Sequence, residues 1–424
     1  MENLSYKTKA LHAGHDTNQT QGTRVVPIYQ TTSYVFHDTN HAANLFSLQE
    51  PGYLYTRLNN PTCDILEKRL ASVCGGVAAI TFASGTAAIA TTLLTLLQTN
   101  NHIVASSSLY GGTYNLLNVT LPRLGINTSF VDPSQTSNFE EAIAADTKVI
   151  YIESLGNPKL DIPDIEAIAK VASKHKIPLI VDNTVASPAL LKPIEFGADI
   201  VIHSLTKYIG GHGNSLGGAV IDAGTFDWGN GTFSEFIEPS KGYHGLKYVE
   251  VLGEHAFVAK LRLEGLRDFG AALSPFNAFQ IIQGFETLDV RIRQQSKNAL
   301  ELAEWLESQE EVAWVNYPGL KTGKYFELSK KYLPNGQSGL VTFGLKGGFE
   351  AAKKVTDATK IFSLLANIGD TKSLIIHPAS TTHQQLSEEQ QKSSGVTQDL
   401  IRLSIGLESI EDLKNDLRQA LNSL

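Results

Sequence analysis

Sulfur is almost absent from this chain. Met1 is the only methionine among 424 residues, and Cys63 and Cys74 are the only cysteines. Two cysteines make neither a disulfide framework nor a thiolate metal site, and no pair of His or Cys has a convincing metal spacing. They are expected as small, buried apolar residues in a reducing cytoplasm. Basic charge is also short: 35 Lys and Arg stand against 43 Asp and Glu, a net charge of -8. That balance argues against nucleic acid as a partner. The longest apolar stretches, such as AAIATTLLTLL, are too short and broken to span a bilayer. The opening residues MENLSYKTKALHAGHD hold no apolar core of signal-peptide length. No strand runs into G-x-G-x-x-G, and no Gly-rich loop ends in Gly-Lys-Ser/Thr, which counts against dinucleotide and nucleoside triphosphate sites. What remains is a soluble globular protein, 42% hydrophobic and 18% charged, long enough for two domains.

Short β-rich runs alternate with helical patterns over the first half. VAAITFAS, HIVASSS, KVIYIES, PLIVDNT, DIVIHS and GGAVID read as buried strands, with helices at TAAIATTLLTLLQ, NFEEAIAA, DIEAIAKVASKHK and, shortly, around ALLKPIEFG. This pattern predicts an α/β fold with a mostly parallel sheet covered on both faces. PTCDILEKRLASVCGG predicts a helix opened by Pro61 and stopped by Gly75 and Gly76. Residues 1–60 read as an extended N-terminal arm, 61–285 as a large domain and 286–424 as a smaller C-terminal α/β domain. The Gly- and aromatic-rich residues 224–260 read as an excursion from the main sheet. Residues 275–309 read as a long helical stretch that Gly284 interrupts, and Ser409 with Asp412 as a capping-box-like start to the last helix. The second domain takes strands at VAWVNYP, GLVTFGL and IRLSIGL.

In parallel sheets, ligands collect at the carboxyl ends of the strands. Four such ends carry chemistry here. ASGTAA sets Ser84, Gly85 and Thr86 at a helix start, whose N–H groups suit an anion. Asp182 ends IPLIVDNT, a costly place for an unpaired carboxylate. YIESLGNP sets Glu153 and Asn157 about a turn. DIVIHSLTKYIGGHG ends a buried strand with His203, Ser204, Thr206 and Lys207, followed by two glycines. Pyridoxal phosphate uses all of these at once: a lysine for the Schiff base, an acid opposite the pyridinium nitrogen, and a cradle of N–H groups and hydroxyls for the phosphate. The glycines after Lys207 then let the loop pass close to the cofactor. His203 and His212 are assigned structural roles.

HSLTKYIGGHG, ASGTAA, YIESLGNP, VDNT, YLYTRLNNPT and IRLSIGLES together resemble, in order along nearly the whole chain, the pyridoxal-phosphate enzymes of cysteine and methionine metabolism. That group includes cystathionine γ-synthase and methionine γ-lyase. YGGTYNL, KYIGGHG, the segment after GGAVID, QGFETL and HPASTTH point within it to the O-acetylhomoserine sulfhydrylases. The resemblance implies the type I fold of pyridoxal-phosphate transferases, aspartate aminotransferase-like. It implies that Lys207 bonds the cofactor and shuttles protons, and that Asp182 holds the ring nitrogen. Gly85, Thr86, Ser204 and Thr206 would bind phosphate, Tyr110 would stack on the ring and assist proton transfer, and Asn157 would touch the ring oxygen. Tyr55 and Arg57 would reach the phosphate of a neighbouring subunit, making a dimer the minimum active unit and a homotetramer the expected state. Arg402 would pair the substrate α-carboxylate, with Ser373 near it. Three positions depart from relatives: Thr86 stands where many have methionine, Gly112 lies near a cysteine of the γ-lyases, and Gln283 replaces the arginine common in synthases and lyases.

The implied reaction is γ-replacement: O-acetyl-L-homoserine and sulfide give L-homocysteine and acetate, for methionine biosynthesis. A cystathionine γ-synthase, a methionine γ-lyase, an O-succinylhomoserine sulfhydrylase, and an inactive binding protein on the same fold stay open from sequence. So does the meaning of the low sulfur content, which suits an enzyme made when sulfur is scarce and equally suits drift of the lineage.

Overall fold

The structure, a computed structural model, describes residues 4–382, 384, 391 and 395–424. His383, within the HPASTTH stretch, and Met1 lie outside the described residues. Seven strands form the first sheet: β1 Ala78–Phe82, β2 His102–Ser106, β3 Asn127–Val131, β4 Thr147–Glu153, β5 Leu179–Asp182, β6 Ile200–Ser204 and β7 Gly218–Asp222. Their order is β1-β7-β6-β5-β4-β2-β3, and only β7 runs against the rest. The carboxyl ends of β1, β6, β5, β4 and β2 therefore open on one edge.

Alternation within the strands explains why both faces are covered. Along β4, Ile150 and Ile152 enter one apolar cluster while Val149 and Tyr151 enter the other. A strand buried on both sides needs an apolar middle, and β4 has one from Val149 to Ile152. The helix Pro61–Cys74 forms as its end signals predict: the Asn60 side chain accepts from the Thr62 N–H, Pro61 occupies the first turn, and Gly75 closes it at φ +84°.

Five strands form the second sheet: β8 Val312–Asn316, β9 Leu340–Leu345, β10 Ser363–Leu364, β11 Leu374–Ile376 and β12 Leu400–Ser404, ordered β10-β11-β12-β9-β8. The helix Leu288–Glu307 joins the two sheets. Its Leu288 and Ile292 pack in the first core, and its Ala299, Leu302, Ala303 and Leu306 in the second. The break in the long helical stretch falls at Thr287, between Pro275–Glu286 and Leu288–Glu307, and not at Gly284. Gly284 sits within the helix because the chain after Lys207 presses on it.

Other expectations are corrected. The arm carries helices at Tyr6–His12 and Thr39–Phe46. The excursion is built around Trp228, which stacks on Phe236 at 4.6 Å and on Phe257 at 5.1 Å. The chain is then helical at Tyr248–Leu252 and from Ala256 to Phe269. Ser409 makes no side-chain capping bond; its carbonyl accepts from the Asp412 N–H instead. No helix among the described residues is long and apolar enough to cross a membrane.

A Cβ at Gly284 would lie 2.0 Å from the Gly210 carbonyl oxygen. Gly284→Ala is therefore expected to lose about 1–3 kcal/mol through overpacking against backbone. Denaturant unfolding measures this, and an unchanged midpoint would mean that the helix and the loop are free to separate.

Candidate active site

The open edge of the first sheet holds a cavity of about 270 Å³ at the strand ends.

 This cavity is the one that concerns function, because the strand ends line it. Lys207, Asp182, Asn157, Tyr110, Gly85, Thr86, Ser204, Thr206 and Arg402 all face into it. Sequence reasoning named these nine, and the fold brings them together. It does not bring Ser373, Tyr55 or Arg57 to this cavity. Ser373 is fully buried elsewhere, its hydroxyl donating to Glu408 Oε2 at 2.8 Å and accepting from the Gly406 N–H at 2.9 Å. The expectation that it stands beside a ligand carboxylate is corrected: Glu408 already takes its hydroxyl. Tyr55 and Arg57 are exposed on the surface, with the guanidinium over the Tyr55 ring and bonded to the Arg267 carbonyl.

On one side of the cavity, the helix Gly85–Leu96 begins directly after β1, capped by the Ser84 hydroxyl, which accepts from the Ala87 N–H at 3.1 Å. A Cβ at Gly85 would lie 2.7 Å from Ser204 Cβ, so only glycine lets the helix start meet the end of β6. The result is a turn of N–H groups beside a serine hydroxyl, a seat for an anion. The Thr206 hydroxyl donates to the Gly217 carbonyl at 3.2 Å and accepts from its N–H at 3.1 Å. It pins that loop more than it faces the anion seat.

Two acids stand at the far side. Glu153 and Asp182 are register partners at the ends of β4 and β5, and both are buried. Burial raises the carboxyl pKa of each, and the nearby Asp182 raises Glu153 further. Glu153 Oε1 accepts from the Tyr110 N–H at 2.6 Å, and Asp182 Oδ1 from the Thr184 N–H at 2.9 Å. A protonated ring nitrogen beside Asp182 would supply the charge that this pair lacks.

Two cations complete the site. Burial, and then the charge of Arg402, pull the Lys207 amine down to about 8, and its Nζ donates to Asn367 Oδ1 at 2.5 Å. Arg402, from β12 of the second sheet, donates to Asn157 Oδ1 at 3.0 Å and to the Asn367 carbonyl at 3.2 Å. Its Nε is buried with no hydrogen-bond partner among the described residues, an open donor for a ligand carboxylate. Asn367 was missed by sequence reasoning; nothing marks it in LLANIGD, and only the second sheet brings it against Lys207. The donor set fits pyridoxal phosphate: an anion seat, an acid for a ring nitrogen, and an amine that gives up its proton more readily than an ordinary lysine. Gly112 also has a local reason, since a Cβ there would lie 2.5 Å from the Tyr110 ring.

A model of the Cys/Met metabolism PLP-dependent enzymes matches residues 7–422. The chain belongs to that family. It is 55% identical to the O-acetyl-L-homoserine sulfhydrylase of Leptospira meyeri, over 100% of this chain and 98% of the relative. It is 48% identical to the homocysteine synthase of Schizosaccharomyces pombe, over 99% of both chains. A solved Campylobacter jejuni structure, assigned as an O-acetylhomoserine (thiol)-lyase, superposes with a TM-score of 0.95 at 44% identity, covering 99% of this chain and 100% of that one. It carries an N'-pyridoxyl-lysine-5'-monophosphate. A second, metB from Corynebacterium glutamicum, gives 0.85 at 35% identity, over 99% and 98% of the two chains. The fold is thus the type I fold of this PLP-dependent family, as the resemblance implies.

The lowered pKa is measurable on cofactor-free protein. Burial disfavours the ammonium form, so Lys207 loses its proton before an exposed lysine does. Competitive amine labelling with peptide mapping is expected to give Lys207 a midpoint near pH 8, against about 10.4 for ordinary lysines. A midpoint at the ordinary value would mean that the amine stands in water.

Proposed function

We propose that this chain exchanges the acetyl ester of O-acetyl-L-homoserine for sulfide, giving L-homocysteine and acetate. The observation that carries this reading is a buried amine, Lys207, sharing one cavity with the acid Asp182 and with Arg402, whose Nε has no partner among the described residues. The named activities of the relatives at 48–55% identity support it.

Pyridoxal phosphate, when bound, supplies an aldehyde for the substrate amine and a ring that takes up the electrons left at the α-carbon. The chain does the rest. Gly85, Thr86 and Ser204 hold the phosphate, and Asp182 keeps a proton on the ring nitrogen. Arg402 grips the α-carboxylate, itself steadied by Asn157 and Asn367. Lys207 removes the α-proton and returns it at the end, a role that its lowered pKa favours. Asn367 gives the amine a resting partner between those steps. Tyr110 covers the ring and hands a proton to departing acetate. Ile89, Leu216, Ala366 and Ile368 wall the cavity and limit water.

The site is completed by a second copy. Tyr55 and Arg57 are exposed and do not line their own cavity, on an arm that also exposes Val25, Ile28 and Phe46 and leaves Val35 97% exposed. We assign residues 1–60 to the neighbour's surface, 61–285 to the cofactor domain and 286–424 to the small domain, in a homotetramer of active dimers. The division falls at the Thr287 joint. A reducing cytoplasm suits the two buried free thiols.

Purified protein with pyridoxal phosphate is expected to form homocysteine from O-acetylhomoserine and sulfide. Borohydride reduction with peptide mass mapping should leave a pyridoxyl mark on Lys207, and Lys207→Ala should lose both the mark and turnover. Arg402→Ala should lose about 3 kcal/mol, roughly a hundredfold in kcat/KM, mostly through KM. A near-normal KM in that variant gives the carboxylate to another group.

A further inference from the structure

The two glycines behind Lys207 do not line the cavity. They pack the other way, against the helices that lead into the second sheet. A Cβ at Gly211, where φ is +71°, would lie 2.0 Å from Arg291 Nη1, and the Gly210 carbonyl presses on Gly284. The expectation that these glycines bring backbone close to the cofactor is therefore corrected: they make room for a guanidinium.

Arg291 is 5% exposed, and among the described residues its four hydrogen-bond partners are all neutral, with Asp370 acting on it only through space. Nη1 donates to the Tyr208 carbonyl at 2.9 Å. Nη2 donates to the Ile209 carbonyl at 3.2 Å and the Gly284 carbonyl at 2.6 Å. Nε donates to Thr287 Oγ1 at 3.2 Å. Burial pulls its pKa down to about 10. Burying a cation without an anion is unfavourable, so a buried arginine on neutral carbonyls is a device for orientation more than for stability. Tyr208 and Ile209 are the two residues that follow Lys207. The same turn is closed from the other side, where the Thr371 N–H donates to the Gly211 carbonyl at 2.9 Å. A Cβ at Gly369 would lie 2.6 Å from the Tyr208 nitrogen.

We propose that Arg291 is the positioning residue of Lys207: its fork fixes the two carbonyls after the lysine and so sets where the amine stands. This rests on the reaction proposed above and adds a residue that touches neither substrate nor cofactor. The planar fork matters, because an ammonium has three donors but no rigid plane to space two successive carbonyls and a helix carbonyl.

The test compares Arg291→Met and Arg291→Lys with the parent chain. In cofactor-free protein, the labelling midpoint of Lys207 should rise by roughly half a unit or more in Arg291→Met, as the amine gains water. In the holoenzyme, kcat should fall by roughly tenfold or more while KM for O-acetylhomoserine stays within about threefold. Arg291→Lys should recover part of both. A purely structural role would lower the unfolding temperature and leave the midpoint and kcat alone. That result in a folded Arg291→Met overturns the proposal. If Arg291→Met does not fold, Arg291→Lys decides by the same two readouts, and an unchanged midpoint overturns it. Failure of the reaction itself looks different: a parent chain that makes no homocysteine sinks the proposed function, while the labelling comparison still reads Arg291.

Discussion

Two acids and two bases share one cavity with no salt bridge to any of them among the described residues, and the rest of the site depends on that constraint. Lys207 and Arg402 are pulled down, while Asp182 and Glu153 are pushed up, each chiefly by burial. Had the lysine bonded an acid directly, the ion pair would have held its proton and removed the base. The lysine lies three residues past the end of β6, whose neighbour β5 ends in Asp182, yet its amine bonds to neither acid. Its partner is instead an amide, Asn367, which accepts a hydrogen bond without adding charge. Low dielectric makes each group reactive, and a charged ligand relieves the strain of leaving them unpaired.

Where strands are buried on both faces, the sequence announces them by near-continuous apolar runs, with polar residues such as His203 only toward the strand end. β4, β5 and β6 are legible for that reason. β3 is not: Asn127–Val131 forms the sheet edge, only partly buried, and its Asn, Thr and Ser hide the strand. The short β10 and β11 fail similarly, being two and three residues long. The strand-end chemistry was legible because each residue sits at a break in apolar character. Asn367 and Ser373 show the limit. Both lie in loops or short strands of the second sheet, where position depends on how two sheets meet, and no local pattern records that.

The same reasoning separates two kinds of glycine. Gly85 serves the ligand, since it lets a helix start approach the end of β6. Gly210 and Gly211 sit three and four residues beyond the lysine and serve a helix instead. In sequence both kinds look alike: a glycine after a strand. Their difference lies in what a Cβ would strike, Ser204 in one case and Arg291 in the other. A motif spanning a reactive lysine therefore mixes residues that touch chemistry with residues that only aim it.

The site is assembled from both sheets. Lys207 and Asp182 come from the first, Arg402 from the centre of the second, and Asn157 of the first is the acceptor that ties Arg402 across. The distance between base and carboxylate grip is then a property of the joint, not of either sheet. The helix Leu288–Glu307 is that joint, with one end in each core. It carries Arg291 on the turn behind Lys207, Gln295 donating to the Asp370 carbonyl, and Asn298 donating to the carbonyls of Gly406 and Glu408. One rigid rod thus touches the backbone on either side of the cavity. A helix that only filled space between sheets would need apolar residues at these positions. The polar ones fix the register of the two halves, and with it the geometry in which an α-proton can be reached.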